Sequence, residues 1–335
     1  MRVAIIGCGL IGSTRAAAIS NCPLVACCDA VSERAQALAR RVPGAEVSTN
    51  WRDVVTRADV DLVIVATSHD RLAEIACGAV AAGKHVLLEK PGARRAVELD
   101  PVLAASRKTG ALVRVGFNHR FHPALRKARE IFETGILGDL MFIRGRYGHG
   151  GRPGYEQEWR AHPEMSGGGE MIDQGVHLID LARWFLGDFA RVRGHVATYF
   201  WQMPVEDNGF MLLETARGQT AFLHASWTEW KNLFSLEIAG RVGKLEISGR
   251  GGSYGTERLT HYQMLPEMGP PVTTAWEYPM RDDSWELEFA CFLEDIRLNR
   301  QPNPGVEDAQ AALSVVEQIY EEESRRSRGA RSGSD

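Results

Sequence analysis

The sequence predicts an α/β chain in two parts, a doubly wound parallel sheet followed by an α+β domain on an open, mostly antiparallel sheet. Three observations carry this. Apolar strand-like runs alternate with helix-like stretches from Val3 to Val115, and the first run opens directly into Gly7-Cys8-Gly9-Leu10-Ile11-Gly12. Beyond residue 121 the apolar runs become short, turn-separated and partly alternating. At 335 residues, and about 150 per domain, two domains are expected.

The strand-like runs of the first part are 3–6, 24–28, 61–66, 85–88 and 112–115, with a weaker one at Val47. They are nearly continuously apolar, as strands covered on both faces must be. Helices are expected over 13–20, 32–41, 51–57, 71–82 and 93–109, with Gly83 and Gly110 standing where a left-handed residue ends a helix. In the second part a helix is expected over 123–133, with Pro123 in its first turn and Gly135 past its end. Strands follow over 140–147, 192–200, 210–215, 220–227, 234–239 and 244–247, then helices over 284–299 and 306–323. The expected domains are 1–120 and 121–323. The tail 324–335 has no apolar anchor and is expected to be disordered.

Composition excludes several classes of function. Lys plus Arg is 39 and Asp plus Glu is 43, a net charge of −4, so no basic excess exists to hold nucleic acid or an anionic membrane. No apolar run approaches the roughly 20 residues of a membrane span. The 6 cysteines show no C-x-x-C spacing and read as reduced thiols of a cytoplasmic protein. Ile5-Ile6-Gly7-Cys8 resembles a lipoprotein processing site, but too few residues precede Cys8 for a leader.

The glycine-rich turn has the context of a dinucleotide fingerprint. It follows a strand, opens a helix, and is answered by Asp29 at the end of the next strand, twenty residues after Gly9. Gly7 permits the tight turn, Gly9 lets backbone approach a pyrophosphate, and Gly12 lets the helix pack close, its N-terminus supplying the anion site. Leu10 and Ile11 lie in the turn, and Ala66 and Thr67 end the third long run at the same sheet edge. Asp29 would accept both ribose hydroxyls and repel a 2′-phosphate. Ala30, Val31, Ser32 and Glu33 follow without a cation, so NAD is favoured over NADP.

Further candidates lie downstream. In the stretch 170–186, at 100° per residue, Asp173, His177 and Asp180 fall within about 60° of one another, flanked by Glu170 and Trp184. Such a stripe is a site or a buried polar network. Asp173 and His177 stand at a chelating i, i+4 spacing, but no second His–carboxylate pair is evident and no metal is expected. The stretch 144–169 is glycine-rich and carries Tyr147, His149, Tyr155 and Trp159, suited to a sugar pocket or to a plain surface loop. Arg160 offers a bidentate clamp for a phosphate or carboxylate. Asn118, His119 and Arg120 read equally as substrate contacts or as hydrogen bonding between domains.

Gly83-Lys84-His85-Val86-Leu87-Leu88-Glu89-Lys90-Pro91 and Gly167-Gly168-Gly169-Glu170-Met171-Ile172-Asp173-Gln174-Gly175-Val176-His177 resemble the two signatures of the Gfo/Idh/MocA oxidoreductases, relatives of glucose–fructose oxidoreductase and inositol dehydrogenase. The resemblance implies an NAD-dependent sugar dehydrogenase with His177 as catalytic base, Asp173 as its partner, and Lys90 contacting substrate hydroxyl and cofactor ribose. Glu89 would be the counter-charge of Lys90 beside the cofactor. Asn118, Arg120, Tyr147, Trp159 and Arg160, with Asp173 and His177, form the expected substrate site. The family also implies dimers or tetramers joined through the open sheet. Some members act on nucleotide-linked sugars, and Arg152, Arg160 and the basic stretch 120–129 offer cations for a diphosphate. The expected substrate is accordingly a nucleotide-linked sugar such as UDP-N-acetylglucosamine, oxidised at C3. Free-sugar or inositol oxidation is the alternative, and a redox-neutral, NAD-retaining epimerase or glycosidase a further one.

Overall fold

Runs with no polar alternation need cover on both faces. In the computed structural model, which describes residues 1–332, they receive it. The chain folds as two units: the first takes 1–118, 164–167 and 285–311, the second 119–163, 168–284 and the chain from 312 on.

In the first unit, β1 (Val3–Ile6), α1 (Leu10–Ala18), β2 (Leu24–Cys28), α2 (Ser32–Ala39), β3 (Glu46–Ser48), α3 (Trp51–Val55), β4 (Leu62–Val65), α4 (His69–Ala81), β5 (His85–Leu88), α5 (Asp100–Thr109) and β6 (Val113–Val115) alternate as expected. The strands lie parallel in the order β3-β2-β1-β4-β5-β6. The chain reverses direction across the sheet between β1 and β4, the switch point where open α/β sheets bind ligands.

The second unit holds α6 (Pro123–Glu133) and β7 (Leu140–Gly148). After them α7 (Pro163–Ser166) leads mainly into the first unit, where the Ser166 carbonyl meets His69 Nδ1 at 2.8 Å. Next come α8 (Val176–Leu186), β8 (Phe189–Ala197), β9 (Asn208–Thr215), β10 (Thr220–Ser226), β11 (Leu233–Gly240), β12 (Gly243–Ser248), β13 (Glu257–Gln263) and β14 (Val272–Tyr278). Eight strands pair in the order β14-β13-β12-β11-β7-β10-β9-β8, antiparallel except for β10 on β7. Gly145 on β7 makes room for α8: a Cβ there would lie 3.0–3.2 Å from Leu223, Leu236 and Leu178. On the other face Leu212 and Phe222 pair across β9 and β10 and stay exposed, while Met211, Leu213, Ala221 and Leu223 are buried.

The structure revises the domain boundaries. α9 (Ser284–Arg297) was expected in the second domain but returns to the first unit from Trp285 onward. Phe289 and Phe292 enter that unit's core, Glu288 pairs with Arg15, and Asp295 pairs with Arg114. α10 (Val306–Ser332) runs past its expected end at Glu323. The Glu321–Arg325 and Glu322–Arg326 pairs, four residues apart, extend it. Of the tail expected to be disordered, 324–332 is thus helical and 333–335 lies outside the described residues. Among the described residues no helix is long and apolar enough to cross a membrane.

Asp207, fully buried, holds the connection from β8 to β9. Its carboxylate accepts the backbone N–H groups of Tyr199, Phe200 and Trp201 at 2.8–2.9 Å and the Asn208 side-chain amide at 3.0 Å. Burial alone would raise its pKa, but the Asn208 amide and the three N–H groups outweigh burial and hold it below the ordinary carboxylate value. A depressed folded pKa contributes stability above the unfolded value, about 3.9, that is lost as pH falls through the folded one. Asp207→Ala is expected to lower stability at neutral pH by about 3 kcal/mol, since several buried donors lose a charged acceptor. Urea unfolding at neutral and acid pH checks this: the gap between wild type and variant should narrow in acid.

Candidate active site

The turn after β1 is shaped by contacts that only glycine allows. Gly7 has φ +96°, and a Cβ there would sit 2.3 Å from the Ala66 carbonyl oxygen; one on Gly12 would sit 1.9 Å from the Gly7 oxygen. At Gly9 a Cβ would meet nothing within 4 Å, so the backbone faces open space at the point where a pyrophosphate would approach. Leu10 is exposed, Ile11 half-buried, and Ala66 and Thr67 lie half-buried at the end of β4. Asp29 stands beside the turn, accepting the N–H of Cys8 at 2.8 Å and of Val31 at 2.9 Å. Tight turn, open approach and a fixed carboxylate after β2 fit a dinucleotide with free ribose hydroxyls. NAD is expected to exceed NADP in kcat/KM at least tenfold, about 1.4 kcal/mol. Asp29→Ala should narrow that gap, chiefly by weakening NAD. Steady-state kinetics with both cofactors checks it.

Lys90 follows β5 at the same sheet edge, half-buried and joined to Pro91 by a cis peptide. Its neighbour Glu89 has a different task from the one expected. Rather than standing as the Lys90 counter-charge, Glu89 accepts Arg15 Nε–H at 2.5 Å, and Arg15 also donates to Glu288 at 2.5 Å. The Arg15 guanidinium lies 4.3 Å from the Trp285 ring. Burial pushes Glu288 above the ordinary carboxylate range, against the pull of Arg15. Gly116 leaves room for the network, since a Cβ there would come within 2.5 Å of Arg15 Nη2.

In the second unit the expected helix over 170–186 begins as one π-helical turn, Met171–Gly175, before α8. Such turns cluster at functional sites. Asp173 lies in the π turn and His177 in the first turn of α8, both buried. Glu206 pins the entry: it accepts the N–H groups of Gly169 at 3.0 Å and Met171 at 3.1 Å, and the Tyr320 hydroxyl at 2.6 Å. The Asp173 carboxylate accepts Arg160 Nε–H at 3.1 Å. The His177 ring stacks on His119, centroids 3.8 Å apart and planes 19° from parallel. Tyr147 is buried with its ring edge-on to both, 5.0 Å from His119 and 6.2 Å from His177. Burial holds its phenol well above the usual pKa, so it stays protonated.

Several expected substrate contacts turn out to be internal. Asp180, third member of the predicted stripe, holds Arg120 bidentate at 2.5 and 2.8 Å, with Trp184 5.6 Å from the guanidinium. Arg120 is thus a buried cation with a carboxylate partner. Arg160 is held by Asp173 and by Glu158 at 3.7 Å, over the half-buried ring of Trp159 at 4.6 Å. Burial works against its charge, but Asp173, Tyr155 and Glu158 outweigh it and raise the pKa. Arg152 pairs with Glu158 at 2.5 Å. Tyr155 leaves the expected sugar pocket for a small core with Val205 and Trp227. Asn118 is buried at the last position of the first unit.

Sequence reasoning gave His119 no firm role and passed over Glu206, Arg250, Tyr254 and Tyr320. The Tyr254 ring lies 5.6 Å from that of Tyr147, with the Arg250 guanidinium over both rings. The glycines flanking Arg250 and Tyr254 were the one available signal. Among the described residues no group of His, Cys, Asp and Glu could hold a metal.

Comparison with known proteins follows this division of the chain. Residues 1–117 match an oxidoreductase family described by its NAD-binding Rossmann fold, and residues 125–246 match the GFO/IDH/MocA C-terminal domain. Levoglucosan dehydrogenase of Pseudarthrobacter phenanthrenivorans is 30% identical over 231 residues, 65% of this chain and 59% of that protein. Inositol 2-dehydrogenase of Salmonella typhimurium is 28% identical over 314 residues, 90% of this chain and 88% of that one. D-glucoside 3-dehydrogenase of Escherichia coli is 32% identical over 192 residues, 56% of this chain and 54% of that protein. The solved structure of levoglucosan dehydrogenase in complex with NADH and levoglucosan shares the fold, with a TM-score of 0.87 at 23% identity over 97% of each chain. The chain belongs to the Gfo/Idh/MocA oxidoreductases, and residues 1–117 are that family's NAD-binding Rossmann domain.

Proposed function

We propose that the chain oxidises a secondary hydroxyl of an unlinked sugar or cyclitol, with NAD as hydride acceptor. One observation carries the choice of an unlinked substrate: the guanidinium groups offered to a diphosphate, Arg120, Arg152 and Arg160, are each paired with a carboxylate. Freeing them would leave Asp180, Glu158 and Asp173 without their partners, two of these fully or nearly buried. The relatives named above, dehydrogenases of levoglucosan, inositol and glucosides, support the same choice, and the nucleotide-linked substrate expected from sequence is given up.

The Gly7–Gly12 turn and Asp29 would hold NAD, which when bound would supply the acceptor for a hydride from the carbinol carbon. Neutral His177 takes the hydroxyl proton as general base. The buried Asp173 carboxylate orients the imidazole and favours the imidazolium that forms. Lys90 stabilises the developing alkoxide through its charge.

The test is a panel read by NADH absorbance: free hexoses, inositols and anhydrosugars against UDP-linked sugars. Unlinked polyols should show kcat/KM at least about tenfold higher, roughly 1.4 kcal/mol. A UDP-sugar turned over preferentially would overturn the reading.

A further inference from the structure

The other guanidinium groups around the second unit's polar core have carboxylate partners, as Arg120 has Asp180 and Arg160 has Asp173. Arg250 does not. It is half-buried on the turn between β12 and β13, where Gly249, Gly251, Gly252 and Gly255 all take positive φ. Its Nε is sealed from solvent and, among the described residues, has no hydrogen-bond partner. Its Cζ lies 4.6 Å from the Tyr254 ring and 5.2 Å from that of Tyr147. Asp282 acts on it only from a distance, its own Oδ1 accepting the Ser284 N–H at 2.9 Å.

Cation–π contact is worth less than a counter-charge, and a partly desolvated cation without one is costly. Tyr147 touches both groups: its ring carries Arg250 and meets the His177 ring at 6.2 Å. A sugar whose hydroxyl meets His177 thus has a guanidinium without a carboxylate in direct contact one aromatic ring away. We propose that Arg250 is a specificity-determining residue that binds an anionic substituent on the sugar itself, a carboxylate or a single phosphate, so that the preferred substrates are sugar acids or sugar phosphates. This rests on the dehydrogenase reading above. A planar fork suits a carboxylate held by two parallel N–H bonds. A diphosphate spreads its charge over two groups and calls for more than one free cation.

The experiment compares kcat/KM with NAD for glucuronate, glucose 6-phosphate, glucose and UDP-glucose, in the wild type, Arg250→Lys and Arg250→Met. Glucuronate or glucose 6-phosphate should exceed glucose by about ten- to a hundredfold, the worth of hydrogen bonds to a charged group. The two arms tell carboxylate from phosphate. Arg250→Met should abolish the preference and Arg250→Lys retain part of it. Should Arg250→Met fail to fold, Arg250→Lys decides alone. Equal use of glucose and both anions, or a preference that survives in Arg250→Met, would overturn the inference while leaving the dehydrogenase intact. A preference for UDP-glucose lost with Arg250 would overturn both the unlinked substrate and the assignment of Arg250 to a substituent on the sugar itself. If none of the four is oxidised, calorimetry of glucuronate and glucose 6-phosphate on the NADH-bound enzyme decides. Binding weakened at least tenfold in Arg250→Lys supports the site, and no binding of either anion overturns it.

Discussion

His177→Ala is expected to lower kcat by about 10²–10⁴, because positioned general-base catalysis is typically worth that much, while folding and NAD affinity stay near wild type. The residue is buried on the first turn of α8, just after an entry pinned by Glu206. Its loss leaves those contacts in place. The stack on His119 adds a pH signature. Two imidazoles 3.8 Å apart in a water-poor site cannot both carry a proton cheaply. Log kcat/KM for oxidation should therefore rise with pH and level off as the pair loses its one shared proton, an apparent value belonging to the cluster. If His177 were only structural, His177→Ala would melt earlier while its folded fraction kept full turnover. Turnover and melting temperature on the same purified variant separate the two.

Arg15→Met is expected to destabilise the first unit by about 3–5 kcal/mol, the cost of breaking a buried ion pair from one side. Arg15 is 1% exposed and holds two carboxylates, Glu89 at 6% and Glu288 at 0%. Its removal leaves both in a low-dielectric site without the cation they share. Adding Glu288→Leu to Arg15→Met should recover part of the loss, since an apolar pair of similar volume no longer strands a charge. Because Glu89 precedes Lys90 in the chain, the single variant should also weaken NAD binding in whatever fraction remains folded. Urea unfolding checks the stability claim, and a variant within about 1 kcal/mol of wild type, the median worth of an exposed pair, would contradict it.

What could be read from the sequence was periodic or motif-borne. The strands β1, β2 and β4 announce themselves because each is apolar throughout, β5 and β6 because apolar residues dominate them, and Gly7 and Gly12 because the turn leaves no room for a Cβ at either. Asp173 and His177 were found through a signature. Their neighbours were not, because contact between distant segments leaves no local trace: Arg15 meets Glu89 across 74 residues and Glu288 across 273. The same blindness hid the carboxylate partners of Arg120 and Arg160, which lie on α8 and its π turn. Edge strand β14 escaped notice for another reason. Most of its residues are exposed, so it carries no buried face and no apolar alternation. α9 was assigned by position, whereas Phe289, Phe292 and two ion pairs place it in the first unit.

The central claim is net hydride transfer from an unlinked polyol to NAD. The most direct test is the stoichiometry of NADH against ketone, measured with purified enzyme, excess NAD and the best substrate of the panel. One NADH per keto product is predicted, with both lost together in His177→Ala. Substrate converted with no net NADH would contradict the account and make the chain a redox-neutral enzyme that retains its cofactor.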